Sequence, residues 1–432
     1  MTNRIKWTIV GSSTGVVIML LLGAANGRAT SPDDVYGHLR VYTEVLQRIK
    51  LEYVEEPDMK SITIGAINGL LESVDPFASY LNADQYKQYL KNRDSAKAGV
   101  GLILAKKYGY VTVVDALPNS PAAKANLLTG DLVESINGVA TRDMPLAFAE
   151  ELLDGDSGTT VEVTVLRMRN PEPQKVTLTR AKIGVPDVKT KMLADGVGYL
   201  QVPSLEGHDV AEAKAKLQEL MQTGAKYIVL DLRHCSTGAP EAGAGLANLF
   251  LDKGEITSAK GQKYQKVDYM AKPEDDVWKG PLVVITNRST AGGAEVATAG
   301  LMELGRSQVV GERTYGDAGV RKTVLMDDGA AVILSVAKYY SPLGKAIQTA
   351  GVLPTVQLTE NDNSPELDQD GNPIPGTESK TVEDNLLKQA VDLVTGKTTL
   401  AELRRPDSGV LVRDPFDKRK DLPADRDDEQ NQ

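Results

Sequence analysis

The stretch that most constrains this chain runs from Pro281 to Arg321. An apolar strand, PLVVITN, leads into RSTAGGAEVATAGLMELGR and then SQVVGERTYGDAGVR. Leu282 to Ile285 form an apolar run bounded by turn formers, the pattern of a strand buried on both faces. The small residues Ser289, Thr290, Ala291, Gly292 and Gly293 follow, and Ala294 to Leu304 reads as a helix closed by Gly305. A strand that stops at a tight turn and feeds a helix is a common mount for a nucleophile. The turn exposes the side chain, and the helix amides favour developing negative charge.

Composition narrows the chemistry. With 432 residues the chain can build two or three domains with sizeable cores. A net charge of −10 argues against a nucleic-acid partner, which needs clustered Lys and Arg. Cys235 stands alone, which excludes an internal disulfide and a Cys-based zinc site. His38, His208 and His234 are scattered, which speaks against a histidine metal site or a Ser-His-Asp triad, and no cofactor is implied. Arg4 and Lys6 precede a mostly apolar run from Trp7 to Ala25 that ends in Gly23, Ala24 and Ala25. Residues 1–30 therefore read as a signal peptide or an uncleaved anchor. The remainder is expected to be extracytoplasmic, periplasmic or tethered, with membrane contact only through residues 7–25.

Residues 31–95 read as a helical preface: an apolar stripe from Val35 to Ile49, a second from Ile62 to Ser73, the breaker segment DPFASYL, and a short polar helix from Ala83 to Lys91. Residues 96–183 change to short strands separated by turn residues, with one helix at Pro145 to Leu153. Within them, NSPAAKANLLTGDLVESINGVAT and MPLAFAEELLDGDSGTTVEVTVLR resemble PDZ domains. Ser120, Pro121, Ala122, Ala125, Leu127, Gly130, Asp131, Ile136, Asn137 and Gly138 stand where that family has them, and Asn126 replaces its usual glycine. The resemblance implies that a peptide C-terminus adds as a strand to an open sheet edge, with its carboxylate held by the loop Gly99, Val100, Gly101 and Leu102.

From 184 to 360 strands alternate with helices: Gly198–Val202, His208–Met221, Tyr227–Leu232, Glu241–Leu251, the opening stretch, then Ala330–Ser335 and Ala337–Tyr340 as two strands. Alternation of this kind argues for an α/β sheet covered on both faces. Residues 361–432 are polar, with one amphipathic helix at Val382–Thr395 and a tail, DPFDKRKDLPADRDDEQNQ, too poor in apolar residues to fold.

In this order the segments resemble the carboxyl-terminal processing peptidases, serine peptidases of family S41 with an embedded PDZ domain. The likeness runs from about Val35 to Leu358 and includes DPFASYL, YLQVPSL, VLDLRHCSTGAPEAGAGLANLFL, VVGERTYGDAGV and VAKYYSPLGKAIQTAGVLPTV. It implies a multidomain α/β protein: a helical N-terminal segment, a PDZ β-domain and an S41 peptidase-like α/β core of the ClpP/crotonase type. It also implies a serine nucleophile, a lysine base kept neutral by dehydration, and a supporting glutamine.

At the matching positions this chain has other residues. With Asn287 and Glu295 in register, the nucleophile position is Gly292; the lysine position is Asp317 and the glutamine position Arg321. The family's NPGG loop falls on Cys235, Ser236, Thr237 and Gly238, which leaves Gly238 and Gly293 as oxyanion-hole-like glycines. The expectation is a catalytically inactive homologue that binds peptide or protein C-termini. Ser289 and Thr290 carry two readings: caps of the following helix, or a displaced nucleophile with Lys322 or Lys338 as base. A His234–Cys235 pair is disfavoured, because neighbours in an extended run point to opposite faces. As further partners, the resemblance suggests a homo-oligomer or mixed assembly with an active relative.

Overall fold

A computed structural model of the chain describes residues 32–95, 98–107, 109–142, 144–167, 170–184, 186–360, 383–405 and 410–415. The expected signal or anchor, residues 1–30, and most of the expected polar tail lie outside the described residues. The chain divides into two compact units between Ala66 and Ile67. The first contains helix α1 (Pro32–Glu52), which leaves Leu39, Tyr42 and Val45 exposed. Helix α2 (Met59–Val74) starts where Asp58 Oδ1 accepts the Lys60 N–H at 3.0 Å, and it stops just before the proline of DPFASYL. Among the described residues no helix is long and apolar enough to cross a membrane.

The second unit takes in the end of α2 from Ile67 and continues with strand β1 (Ser79–Leu81) and helix α3 (Ala83–Ser95). Then come the hairpin β2 (Leu102–Lys107) and β3 (Tyr110–Ala116), helix α4 (Pro121–Lys124), β4 (Leu132–Ile136), β5 (Val139–Ala140), helix α5 (Leu146–Leu153), β6 (Thr160–Arg167) and β7 (Asn170–Thr179). These strands make an antiparallel sheet in the order β2-β3-β4-β6-β7, with β5 on β4. The SPA motif has a local job: Ser120 Oγ accepts the Ala123 N–H at 3.1 Å, and Pro121 opens the helix where no donor is needed. Helix α5 buries Leu146, Ala149 and Leu153 in the same cluster as Val100, Leu104 and Val113.

The core follows as β8 (Lys189–Met192), β9 (Val197–Gln201), helix α6 (Asp209–Gln222), β10 (Tyr227–Asp231), helix α7 (Pro240–Asn248), β11 (Glu255–Lys260), β12 (Val267–Met270), β13 (Leu282–Thr286), helix α8 (Gly293–Glu303) and β14 (Gln308–Gly311). Strands β15 (Gly319–Leu325), β16 (Ala331–Tyr340) and β17 (Val356–Gln357), helices α9 (Asn385–Val394) and α10 (Leu400–Leu403), and β18 (Leu411–Val412) complete it. A seven-stranded sheet runs β18-β17-β14-β13-β10-β9-β8, parallel from β9 to β17 with antiparallel edges.

Alternation explains both faces of this sheet. Leu230 and Val284 point into a cluster with Leu217, Leu246 and Val296 of the helices on one side. Their neighbours Val229, Val283 and Ile285 meet Leu386 and Ala390 of α9 on the other. Arg233 fastens that second layer: its guanidinium bonds Asp231 at 2.7 Å, Asp384 at 2.7 Å and Glu360 at 3.0 Å.

A smaller sheet, β1-β16-β11-β12 with β15 on β16, carries one correction. The two strands expected at Ala330–Ser335 and Ala337–Tyr340 are the single strand β16. The apparent break is a register shift: Val320 faces Ala337 while Arg321 faces Ser335, so Val336 is the extra residue of a bulge.

Helices α7 and α8 touch backbone to backbone. A Cβ placed on Gly243 would lie 1.8 Å from the Gly293 carbonyl oxygen, a contact no rotamer change relieves. Gly243→Ala is therefore expected to destabilise the protein by about 3 kcal/mol, read from urea unfolding curves. An effect within experimental error would show that the helices can separate freely.

Candidate functional site

Every residue of β13 is buried, and the chain leaves it through Asn287. The turn ends at Gly292, held at φ 57° and ψ −117°, a region that residues with a side chain occupy only under strain. Space is not the obstacle. The nearest atoms to a Cβ built on Gly292 would be the carbonyl oxygens of Asp317 and Gly238, each at 3.6 Å. The seat of a side chain is present, and the two groups nearest to it accept hydrogen bonds rather than donate them.

Neither neighbouring hydroxyl caps helix α8, which corrects the capping expectation. Thr290 Oγ1 donates to the Leu232 carbonyl at 2.9 Å and accepts the Asn287 N–H at 3.1 Å, so it closes the turn on itself. Ser289 Oγ lies 2.6 Å from Thr129 Oγ1 of the PDZ domain. The helix end is satisfied from within by Glu295, three residues on.

Glu295 is fully buried. Its Oε2 accepts the N–H groups of Gly292 at 3.0 Å and Asp317 at 2.6 Å; its Oε1 accepts the Gly316 N–H at 2.6 Å and the Thr314 hydroxyl. Thr314 Oγ1 takes the Val352 N–H at 2.7 Å, which leaves its own proton for the carboxylate. Burial outweighs the lowering effect of the Thr314, Asp317 and Gly316 bonds and leaves this carboxyl pushed up to about 8. All four partners are donors, so the bonding suits the ionised form.

Asp317 and Arg321 stand beside this hub as an ion pair. Burial pushes the Asp317 carboxyl up and the Arg321 charge pulls it back. The guanidinium carbon of Arg321 lies 4.5 Å from the centroid of the Phe77 ring, so DPFASYL reaches the same place. Phe77 in turn meets Tyr315 edge to face at 6.3 Å. Gly238 and Gly293 pack closely: a Cβ on either would clash with Leu205, and on Gly293 also with the Ala239 carbonyl at 2.7 Å. The residues the sequence aligned with a catalytic centre are thus brought together.

The PDZ loop forms its own group. Gly99 exchanges backbone bonds with Ala181, N–H to carbonyl at 3.0 Å and the reverse at 2.9 Å. The Val100 carbonyl accepts from Ala122 and the Gly101 carbonyl from Leu117, at 3.0 and 2.8 Å. Leu102 starts β2, whose outer side is the end of the sheet. Gly99 therefore brings no spare amide to a ligand, and Val100 to Leu102 are the part of the loop at the sheet end.

Sequence reasoning missed the polar contacts that join the two domains. Asp115, buried at the end of β3, bonds His234 Nδ1 at 2.8 Å and Ser236 Oγ at 3.0 Å. Cys235 points the other way into the core, fully buried, and burial pushes its thiol well above the ordinary range. The expectation against a His-Cys pair matches this geometry. No local pattern marks Asp115 as a partner for a loop over a hundred residues away.

The family model described as Peptidase family S41 matches residues 196–358, and a PDZ domain model matches residues 112–167. The carboxy-terminal processing protease CtpA of Bacillus subtilis is 30% identical over 75% of this chain and 70% of that protein. This chain belongs to the carboxy-terminal processing proteases of family S41. The carboxy-terminal-processing protease of Bartonella bacilliformis is 28% identical over 79% of this chain and 80% of its own length. A solved photosystem II D1 C-terminal processing protease superposes with a TM-score of 0.61 at 28% identity, over 73% of this chain and 86% of that one. This chain thus has a mixed α/β build of N-terminal helices, PDZ domain and S41 protease-like core, with a carboxy-terminal processing protease as structural neighbour.

The Glu295 hub makes a direct prediction. Glu295→Gln puts an amide N–H₂ where one pair of donors now finds an oxygen, and should cost about 2 kcal/mol in urea unfolding. Unchanged stability would mean that the four bonds are dispensable.

Proposed function

We propose that this chain is a non-catalytic member of the carboxy-terminal processing proteases, one that holds peptide or protein C-termini without cutting them. The observation that carries the reading is the Gly292 seat, which has the turn, the space and the strain of a nucleophile position but no side chain. Acyl transfer needs a nucleophile and a base that can take its proton. At the position aligned with the lysine base, Asp317 is committed to Arg321. A carbonyl of Gly238 toward the seat would oppose a developing oxyanion, which wants donors.

The hydroxyls nearby are a poor substitute. Thr290 spends its proton on the Leu232 carbonyl, and Ser289 faces Thr129 across the domain junction. Binding rests on the PDZ domain, where β2 ends its sheet beside the Val100–Leu102 segment and an added peptide strand has an edge to join. The basic-then-apolar N-terminus supports an extracytoplasmic place for this binding.

The test is incubation of the full chain with unstructured peptides that end in apolar residues. Expected are binding without cleavage, affinity reduced at least ~10-fold by amidation of the peptide C-terminus, and no labelling by a fluorophosphonate probe. Gly292→Ser alone should stay inactive because the base is still missing. Sustained cleavage by the unaltered chain, or probe attachment at Ser289 or Thr290, would overturn the proposal.

A further inference from the structure

Two side-chain contacts, one from the PDZ domain and one from the core, meet at a single imidazole. His234 holds a left-handed backbone conformation, φ 57°, which a residue with a side chain keeps only where its surroundings enforce it. Its Nδ1 bonds Asp115 of β3 at 2.8 Å, and its Nε2 lies 3.1 Å from Asn287 Nδ2, at the start of the turn that ends at Gly292.

The roles at the second contact can be assigned. Asn287 Oδ1 accepts the backbone N–H groups of His234 at 3.2 Å and Ser289 at 3.1 Å, which fixes the amide orientation. Asn287 Nδ2 is therefore the donor, with one hydrogen for Glu360 Oε2 at 3.0 Å and the other for the imidazole. In this arrangement His234 is neutral with its proton on Nδ1: it gives a bond to the PDZ domain and takes one from the turn.

We propose that His234 is a positioning residue that ties the PDZ domain to the Asn287–Gly292 turn, and that its protonation trades one hold for the other. A proton taken from solvent onto Nε2 removes one of the two acceptors offered to Asn287 Nδ2, so the bond to the imidazole is lost while the bond to Glu360 stays. The same proton turns the Asp115 contact into an ion pair, which strengthens it. The neutral imidazole bridges both neighbours; the charged one grips the PDZ domain and gives up its side-chain bond to the turn, leaving the His234 N–H on Asn287 Oδ1 as the remaining link.

The charged groups that face the imidazole are Asp115 from the PDZ domain and Asp231 and Glu360 from the core. Arg233 is near but is taken up by Asp231, Glu360 and Asp384. Burial disfavours the charged ring, whereas the Asp115 bond and charge, then Glu360 and Asp231, favour it and prevail, raising the group above its ordinary 6.5. Because the folded value lies above the unfolded one, the ion-pair contribution is complete below about 6.5 and is lost as pH rises through the folded value. The PDZ hold is firmest in mild acid, and the hold on the turn is firmest in mild base.

The experiment uses the full chain labelled at histidine carbons, with the His234 signal identified by its loss in His234→Gln. The wild-type titration midpoint should exceed about 6.5. Asp115→Asn should lower it, and the non-additive shift in melting temperature between Asp115→Asn and His234→Gln should be larger at pH 6 than at pH 8.5. A purely structural imidazole would give the same coupling at both pH values. Equal coupling, or a wild-type midpoint at or below about 6.5, overturns the proposal. Should either variant fail to fold, the His234 signal is assigned by elimination with His38→Gln and His208→Gln, and the wild-type midpoint decides the matter.

Discussion

The geometry of the candidate site depends on one buried carboxylate. Glu295 sits three residues into helix α8, where the helix amides already favour negative charge, and collects donors from its own turn and from the Thr314–Asp317 loop. Two segments that the sequence aligns with the family's catalytic positions are thereby tied together by one side chain. The scaffold of the site and the chemistry of the site are physically separate. The hub draws on backbone amides and Thr314 rather than on the side chains at Gly292 and Asp317, so the shape of the turn does not depend on what those positions carry.

The same short turn also serves as a domain joint. Ser289 meets Thr129, Ala291 packs in the PDZ cluster, and Asn287 reaches His234, which in turn reaches Asp115. Phe77 and Tyr315 add an aromatic contact from either side. Residues of the turn and its flanking loops thus meet the PDZ domain, so PDZ placement and turn geometry cannot vary independently.

Much of this was legible in the sequence. The parallel strands β10 and β13 are apolar runs because both faces are buried, and helices α7 and α8 follow them. The PDZ domain was readable from SPA and GD turn chemistry, since Ser120 and Pro121 act locally. Strands β8, β12 and β15 were not readable: sequences such as KTKM and GVRKTVL lie mostly exposed and pair through their backbones, which leaves no apolar signature. Thr290 was expected to cap the helix because hydroxyls before helices usually do, but the Leu232 carbonyl, 58 residues away in sequence, competes for it. Contacts of that kind are set by tertiary structure alone.

On the proposed reading, Gly292 gives the history of this site a direction. At φ 57° and ψ −117° a serine stores strain of about 1–3 kcal/mol that glycine does not. Replacement of a nucleophile by glycine at this point therefore relaxes the fold at the moment it ends the chemistry. The reverse step has to reload that strain before any base exists to reward it, so it loses stability and gains nothing. Decay of activity at such a turn behaves as a ratchet, and a lineage that has passed it is free to refine binding but has no downhill path back to cutting.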